Sequence, residues 1–363
     1  MKKTILLFLF VLTICVYPET APEPVRGVWV TNIDSDILFS KEKIEQGVNL
    51  CSECGINTMF VVVWNRAMTL YPSKIMKDMF GEEIDPYFAG RDPLKELIEA
   101  AHKKNIKVYA WFEFGFSTSY QLAGGRLIKM NPDWSAIDNS GKLVQKNGFE
   151  WMNGFDPAVQ NFALELIKEV VTNYEVDGVQ GDDRLPAMPV EAGYEKYTVE
   201  LYKKEHNENI PPKDFRDTAW VNWRAGKMNL FMEKIYKTVK SIKKDVQVSM
   251  APSPYPWGKE EYLQDWPTWL QNGWVDMVCP QLYREQVKGY LHELDKIVNG
   301  QVDKEKLNIV YPGILLKLGS YYPNAEYIKS VIAENRKRGI NGEVFFFFEG
   351  LKKHRELFRE LYR

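Results

Sequence analysis

From Arg26 onward, short apolar and β-branched runs alternate with segments whose apolar positions recur every three or four residues. That rhythm marks repeated strand–helix units around a parallel sheet. Residues 26–31 read as the first strand, with 41–54 as its helix and Gly55 as the stop. Residues 58–64 and 93–104 form the next pair, and 106–113 is the third strand. The helix at 157–174 leads into a fourth strand beginning at Asp177. Later units pair 246–251 with 260–271, 275–280 with 289–298, and 308–313 with 325–338, before 343–348 and a last helix at 351–362 close the series. About eight units is the number that closes a (β/α) barrel.

The expected fold is therefore α/β, a single (β/α)8 TIM barrel. Two long excursions, 114–156 and 184–227, follow strand ends and are expected as inserted βα loops over the C-terminal face. An open doubly wound sheet is the alternative, but it would normally carry a glycine-rich phosphate turn after an early strand, and no G-x-G-x-x-G or G-x-x-x-x-G-K-[ST] is present.

Barrel enzymes keep their chemistry just past the strands, so the residues there are the candidates. Asn32 and Asp34 follow the first strand, Asn65 and Arg66 the second, and Glu113 the third. Asp182, Asp183 and Arg184 follow the fourth, Ser253 and Tyr255 the fifth, Gln281, Tyr283 and Arg284 the sixth, and Glu349 the eighth. Several acids around one mouth, without a matching ring of lysines, suggest paired acid and base work. Asp182, Asp183, Glu113 and Glu349 are the candidate catalytic acids, against the plainer reading of Asp182 as a helix cap, Asp183 as a surface partner of Arg184 and Glu349 as a first-turn acid. Adjacent residues on an extended strand point opposite ways, so one aspartate of the pair is expected to matter far more than the other. Trp29, Asn32, Trp64, Arg66, Arg184, Tyr255, Trp257, Gln281 and Tyr283 are expected to bind substrate, the rings by stacking on the apolar faces of sugars. For Trp29 the competing reading is an internal barrel residue, as it is for Trp111.

Composition narrows the chemistry. Lys+Arg 47 against Asp+Glu 49 leaves a net charge of -2 and no basic footprint for nucleic acid. The histidines His102, His206, His292 and His354 all fall in helix-like or polar segments, away from strand ends, and read as solvated helix residues. No metal site or cofactor is expected, Ser253 has no evident base, and no strand ends in a Schiff-base lysine. Cys51 and Cys54 stand at helical spacing, as small hydrophobes on a buried face.

Residues 1–16 pair Lys2 and Lys3 with an apolar run and read as a signal peptide; 17–25 are a Pro-rich linker, and 26–363 the barrel domain. The mature chain is expected outside the cytoplasm, secreted or in the periplasm or cell envelope, and monomeric. Leu12-Thr13-Ile14-Cys15 resembles a bacterial lipobox with a bulky Ile14, making a lipid anchor at Cys15 the one expected membrane contact.

The motifs Arg26-Gly27-Val28-Trp29-Val30, Ile56-Asn57-Thr58-Met59-Phe60 through Trp64, Leu70-Tyr71-Pro72-Ser73, Tyr109-Ala110-Trp111-Phe112, Asp177-Gly178-Val179-Gln180 with Asp182-Asp183, and Pro280-Gln281-Leu282-Tyr283 occur in an order that resembles the glycosyl-hydrolase-like 10 family. The resemblance covers nearly all of the mature chain and implies a glycosidase acting on a polysaccharide, with peptidoglycan glycan strands stripped of their peptides as the suggested substrate. The chain also departs from related patterns. A chitinase-type motif places a Glu after the aspartates where this chain has Arg184, and the family's third strand more often ends in Asn where this chain has Glu113. The other expected class is a non-catalytic barrel that binds glycans of the cell envelope through its aromatic rim.

Overall fold

The computed structural model describes residues 23–362. The expected signal peptide and Cys15 lie outside them, as does most of the linker. Eight parallel strands make the central sheet: β1 (Arg26–Val30), β2 (Thr58–Val62), β3 (Lys107–Phe112), β4 (Gly178–Gly181), β5 (Gln247–Met250), β6 (Met277–Val278), β7 (Gly313–Leu315) and β8 (Glu343–Phe346). Their order in the sheet runs β6-β5-β4-β3-β2-β1-β8-β7. A parallel bridge between Val278 and Val310, with Gly313 N donating to Pro280 O at 2.8 Å, joins the two ends. Eight strands in cyclic order are thus closed into a barrel.

Helices follow the strands: α1 (Lys41–Glu53), α2 (Pro93–His102), α3 (Pro157–Asn173), α4 (Thr218–Ile242), α5 (Trp266–Gln271), α6 (Val287–Lys296), α7 (Ala325–Lys337) and α8 (Glu349–Tyr362). Ser40, Asp92, Asp156, Asp217 and Asn324 each accept a backbone N–H at a helix start, which satisfies a donor the helix cannot. Cys51 and Cys54 are buried on and just after α1, in no disulfide among the described residues.

Three elements differ from expectation. The expected strand at 308–313 is split: Val310 and Tyr311 meet β6, whereas the regular ladder to β8 starts at Gly313, just after Pro312, which has no N–H to give. The expected helix 260–271 is two short helices, Trp257–Tyr262 and Trp266–Gln271, parted at Leu263 with φ 56°. The 25-residue α4 begins inside the second excursion, where turn-rich sequence on its N-terminal side hid it. His354 is also not solvated; it is buried at a kink in α8.

Side-chain alternation fills the barrel. Trp29, Phe60, Tyr109 and Trp111 meet ring to ring, and Trp29 Nε1 donates to Gln180 Oε1 at 2.7 Å while Gln180 Nε2 donates to Ser249 Oγ at 2.9 Å. Above this packed floor rise the excursions. The first carries a three-stranded antiparallel sheet of Ser117–Tyr120, Phe149–Trp151 and Gln145–Lys146. The second carries the helix Lys196–Glu205 and leads into α4. They are fastened together: Glu195 Oε1 accepts Ile137 N at 2.6 Å and Gly193 N at 3.3 Å, and Lys146 Nζ pairs with Glu191 at 3.0 Å and Glu261 at 2.7 Å.

Candidate active site

Glu113 stands one residue past β3, and the chain turns at once through Phe114 and Gly115. Gly115 has φ +51°, and a Cβ there would lie 2.1 Å from Arg184 O, so only glycine lets the third and fourth loops touch. Phe116 N seals the contact by donating to Arg184 O at 3.0 Å. Arg184 is thereby brought beside Glu113, and its Nε donates to the Glu113 carbonyl at 3.0 Å.

One guanidinium then serves three carboxylates. Arg184 Nη2 lies 3.4 Å from Asp182 Oδ2 and 3.9 Å from Glu113 Oε1, and Nη1 lies 3.3 Å from Asp183 Oδ1. Both aspartates reach the same side chain because the strand has already ended at Gly181 and bent. The face of Phe149, from the inserted sheet, covers the guanidinium at 4.8 Å. Arg184, with a weaker pull on Glu113 from Arg66, does not balance three acids in a place with so little water, so protons are retained. Burial pushes Glu113 up to about 7, against the pull of Arg184 and a hydrogen bond from Thr31. Burial, then the charge of Asp183, also raises Asp182 well above the usual carboxylate range.

The three acids differ in reach. Asp182 has only 3% of its side chain exposed and accepts from Gln281 Nε2 at 2.5 Å and from Asp183 N at 2.6 Å. Glu113 is 17% exposed and Asp183 27%. Glu113 Oε2 accepts from Asn65 Nδ2 at 2.9 Å and Thr31 Oγ1 at 3.2 Å, and Asn65 Nδ2 also donates to Asn32 Oδ1 at 2.9 Å. Strands β1 to β4 thus each contribute to one cluster.

Glu113 and Arg184 line a cavity of about 810 Å³, a size that suits a small molecule or a few sugar rings. Arg66, Met68, Phe114, Tyr120, Leu122, Phe149 and Phe347 are among the residues of its wall. Tyr120, Phe149 and Phe347, which strand-end reasoning missed, are rings of this wall, whereas Trp29, Trp64, Tyr255, Trp257 and Tyr283 are not. The only signal for the first two was their place in an excursion over the mouth.

Several expected residues lie elsewhere. Glu349 opens α8 and faces a neighbouring hollow, where its carboxylate accepts from Ser35 Oγ at 2.9 Å and pairs with Lys352 Nζ at 2.7 Å. It stands in the first turn of that helix, apart from the acid cluster. Trp64 is 2% exposed and packs edge-on against Phe162 of α3, so it belongs to the helix layer and not to a groove. Trp29 is buried in the barrel floor, and Tyr283 lies over it, edge to face, while stacking on Phe346. Tyr255 packs on Trp266, away from the cavity. Trp257 is 47% exposed and rests on Tyr262, on the β5 side of the mouth. Among the described residues no group of three or more His, Cys, Asp or Glu side chains is placed to hold a metal ion.

A parallel eight-stranded barrel with an acid cluster at the carboxyl ends of its strands defines an α/β barrel of the glycosidase type. Comparison with known proteins makes this specific: the chain belongs to the glycosyl hydrolase-like 10 family, which matches residues 24–321. It is 25% identical over 307 residues to the glycosyl hydrolase DigH of Escherichia coli (strain K12), covering 73% of this chain and 66% of that protein. It is 26% identical over 329 residues to the glycosyl hydrolase YngK of Bacillus subtilis (strain 168), covering 78% and 60%. The chain thus spans about two thirds or less of the length of these relatives. Its fold is similar to that of the PgaB (BpsB) glycoside hydrolase domain from Bordetella bronchiseptica, with a TM-score of 0.70, 13% identity and coverage of 94% and 99%. It is also similar to that of the catalytic domain of β-amylase from Paenibacillus polymyxa, with a TM-score of 0.62, 10% identity and coverage of 93% and 98%.

Proposed function

We propose that this protein is an extracytoplasmic glycoside hydrolase in which Glu113 gives its proton to the glycosidic oxygen. The observation that carries this reading is the cluster of three carboxylates on one guanidinium, of which Glu113, pushed up to about 7, reaches the cavity wall beside Arg184. An acid that still holds its proton near neutral pH and reaches a cavity is suited to protonate a leaving oxygen. Asp183, the most exposed of the three although it lies outside the cavity wall, is the carboxylate we assign to the ring carbon or the attacking water. Asp182, which burial raises well above the usual carboxylate range, positions Gln281 and the Asp183 backbone, a role for a group that substrate scarcely reaches. The Asp183 carboxylate favours the oxocarbenium-like transition state.

Glycan strands of peptidoglycan, freed of their peptides, are the substrate the family resemblance favours, and the amino-terminal sequence pattern supports a cell-envelope location for the mature chain. A glycan-binding barrel without catalysis is the second reading, favoured by the contact of all three acids with Arg184. It would require that guanidinium to neutralise the whole cluster, which one charge against three does not do. Product analysis on a glycan panel including denuded peptidoglycan strands tests the proposal. Wild-type protein is expected to release oligosaccharides, and folded Glu113→Gln and Asp183→Asn proteins to turn over about 10²-fold or more slowly. Wild-type rates in both variants would remove this assignment of residues, and glycan binding by wild-type protein without any product would put the binding reading in its place.

A further inference from the structure

Three guanidinium groups line the cavity, and two are already engaged. Arg184 holds the acid cluster, and Arg126 pairs with Glu82 and donates to the Phe80 carbonyl. Arg66 is different: it is exposed, and its guanidinium makes no ion pair among the described residues, even with Asp34 on the same cavity wall. Its backbone placement is equally distinctive. Trp64 and Asn65 pair antiparallel with Thr69 and Met68, leaving Arg66 and Ala67 as a two-residue turn with φ 48° and 59°. Such turns favour Asn-Gly, because both central residues must adopt the left-handed conformation. Here both adopt it although neither is Asn or Gly, so side-chain-bearing residues hold a strained geometry. Asn65 steadies the turn by accepting Arg66 N at 2.7 Å through Oδ1, while its Nδ2 donates to Glu113. One asparagine therefore fixes the position of Arg66 relative to the proton donor.

We propose that Arg66 reads a carboxylate carried by the glycan beside the bond that is cut, so that the preferred substrate is an acidic polysaccharide. The inference rests on the reading of this cavity as a glycan site. A free, forked, permanently charged donor matches a carboxylate bidentately, and hydroxyl groups or acetamido oxygens leave its charge unanswered. The same chemistry is offered by an ether-linked lactyl arm on an amino sugar and by a uronic acid ring.

The test measures binding to the full-length Glu113→Gln protein, so that turnover does not interfere. Two acidic oligosaccharides are used, one with lactyl arms and one of uronic acid, each beside its carboxyl-reduced counterpart of the same length. At least one acidic form is expected to bind about tenfold or more tightly than its reduced form, and the larger ratio identifies the source of the carboxylate. Adding Arg66→Gln should bring that ratio close to one, with Arg66→Lys keeping part of it. Arg66→Gly should melt no lower than its parent, since glycine suits the turn, yet should lose the ratio. Equal affinities in the parent, no measurable binding of either acidic glycan, a ratio that survives Arg66→Gln, or a lower melting temperature for Arg66→Gly would each overturn the proposal. Product release by wild-type protein is scored separately. A collapsed ratio with no cleavage refutes the hydrolase and keeps Arg66, whereas cleavage without preference does the reverse.

Discussion

Glu113 holds its proton near neutrality because its surroundings withhold water while Arg184 divides its charge among three acids. If that proton is the one delivered to the leaving oxygen, kcat/KM falls as pH rises through about 7, and a pH–rate profile measures it directly. Loss of this limb in Glu113→Gln would tie it to the residue. Aromatic side chains give a sharper contrast. Tyr120→Ala should weaken glycan binding by about 1 kcal/mol, read by fluorescence titration, because that ring lines the cavity and is half exposed. Trp64→Ala should instead cost about 3–5 kcal/mol of stability in denaturant unfolding, since it empties a packed site against Phe162. The sequence made Glu113, Asp182, Asp183 and Arg184 legible because charge directly after a buried strand has few structural explanations. It misled at Trp64, where the chain leaves the barrel ladder for a hairpin and strand alternation no longer tells which way a side chain points. It misled at Glu349 because a strand end that opens a helix offers an acid two equally good uses.

At the scale of elements, the strand–helix rhythm gave nearly every barrel unit, since a strand covered on both faces reads as a continuous apolar run. What stayed hidden depended on partners distant in sequence. Pro312 divides the seventh strand between two neighbours, and α4 starts within polar, turn-rich sequence that only its packing explains. Glu195, which precedes the helix Lys196–Glu205 and accepts from Ile137 N, shows how such partners matter energetically. Burial pushes it up to about 7, so the folded protein binds a proton that the unfolded chain has already released. Its contribution therefore favours folding at low pH and fades as pH rises from the ordinary carboxylate range to about 7. Glu113 acts with the same sign. The melting temperature should accordingly decline between about pH 5 and 7.5 from these two groups, and Glu195→Gln should flatten the slope in a thermal scan. A slope unchanged by that substitution would remove Glu195 as a cause.

For the molecule as a whole, a closed barrel supplies the rigid ring of strand ends, and the excursions decide what can enter it. The acid cluster draws on the loops after β1, β2, β3 and β4, with Gln281 from the far side, so no fragment of the barrel holds a complete site. The fastening between the excursions has a further consequence. Glu195 takes its hydrogen bond from Ile137, and Lys146 ties Glu191 to Glu261, so three segments far apart in the chain are held by contacts with one another as well as with the barrel beneath. They should open and close as one cooperative unit, with amides of Ser117–Tyr120, Phe149–Trp151 and Lys196–Glu205 exchanging hydrogen for deuterium at a shared opening free energy below that of the strands. A glycan chain could then be threaded or released by a single gating event whose energy is set by salt and pH, leaving the barrel intact as the hinge's fixed frame.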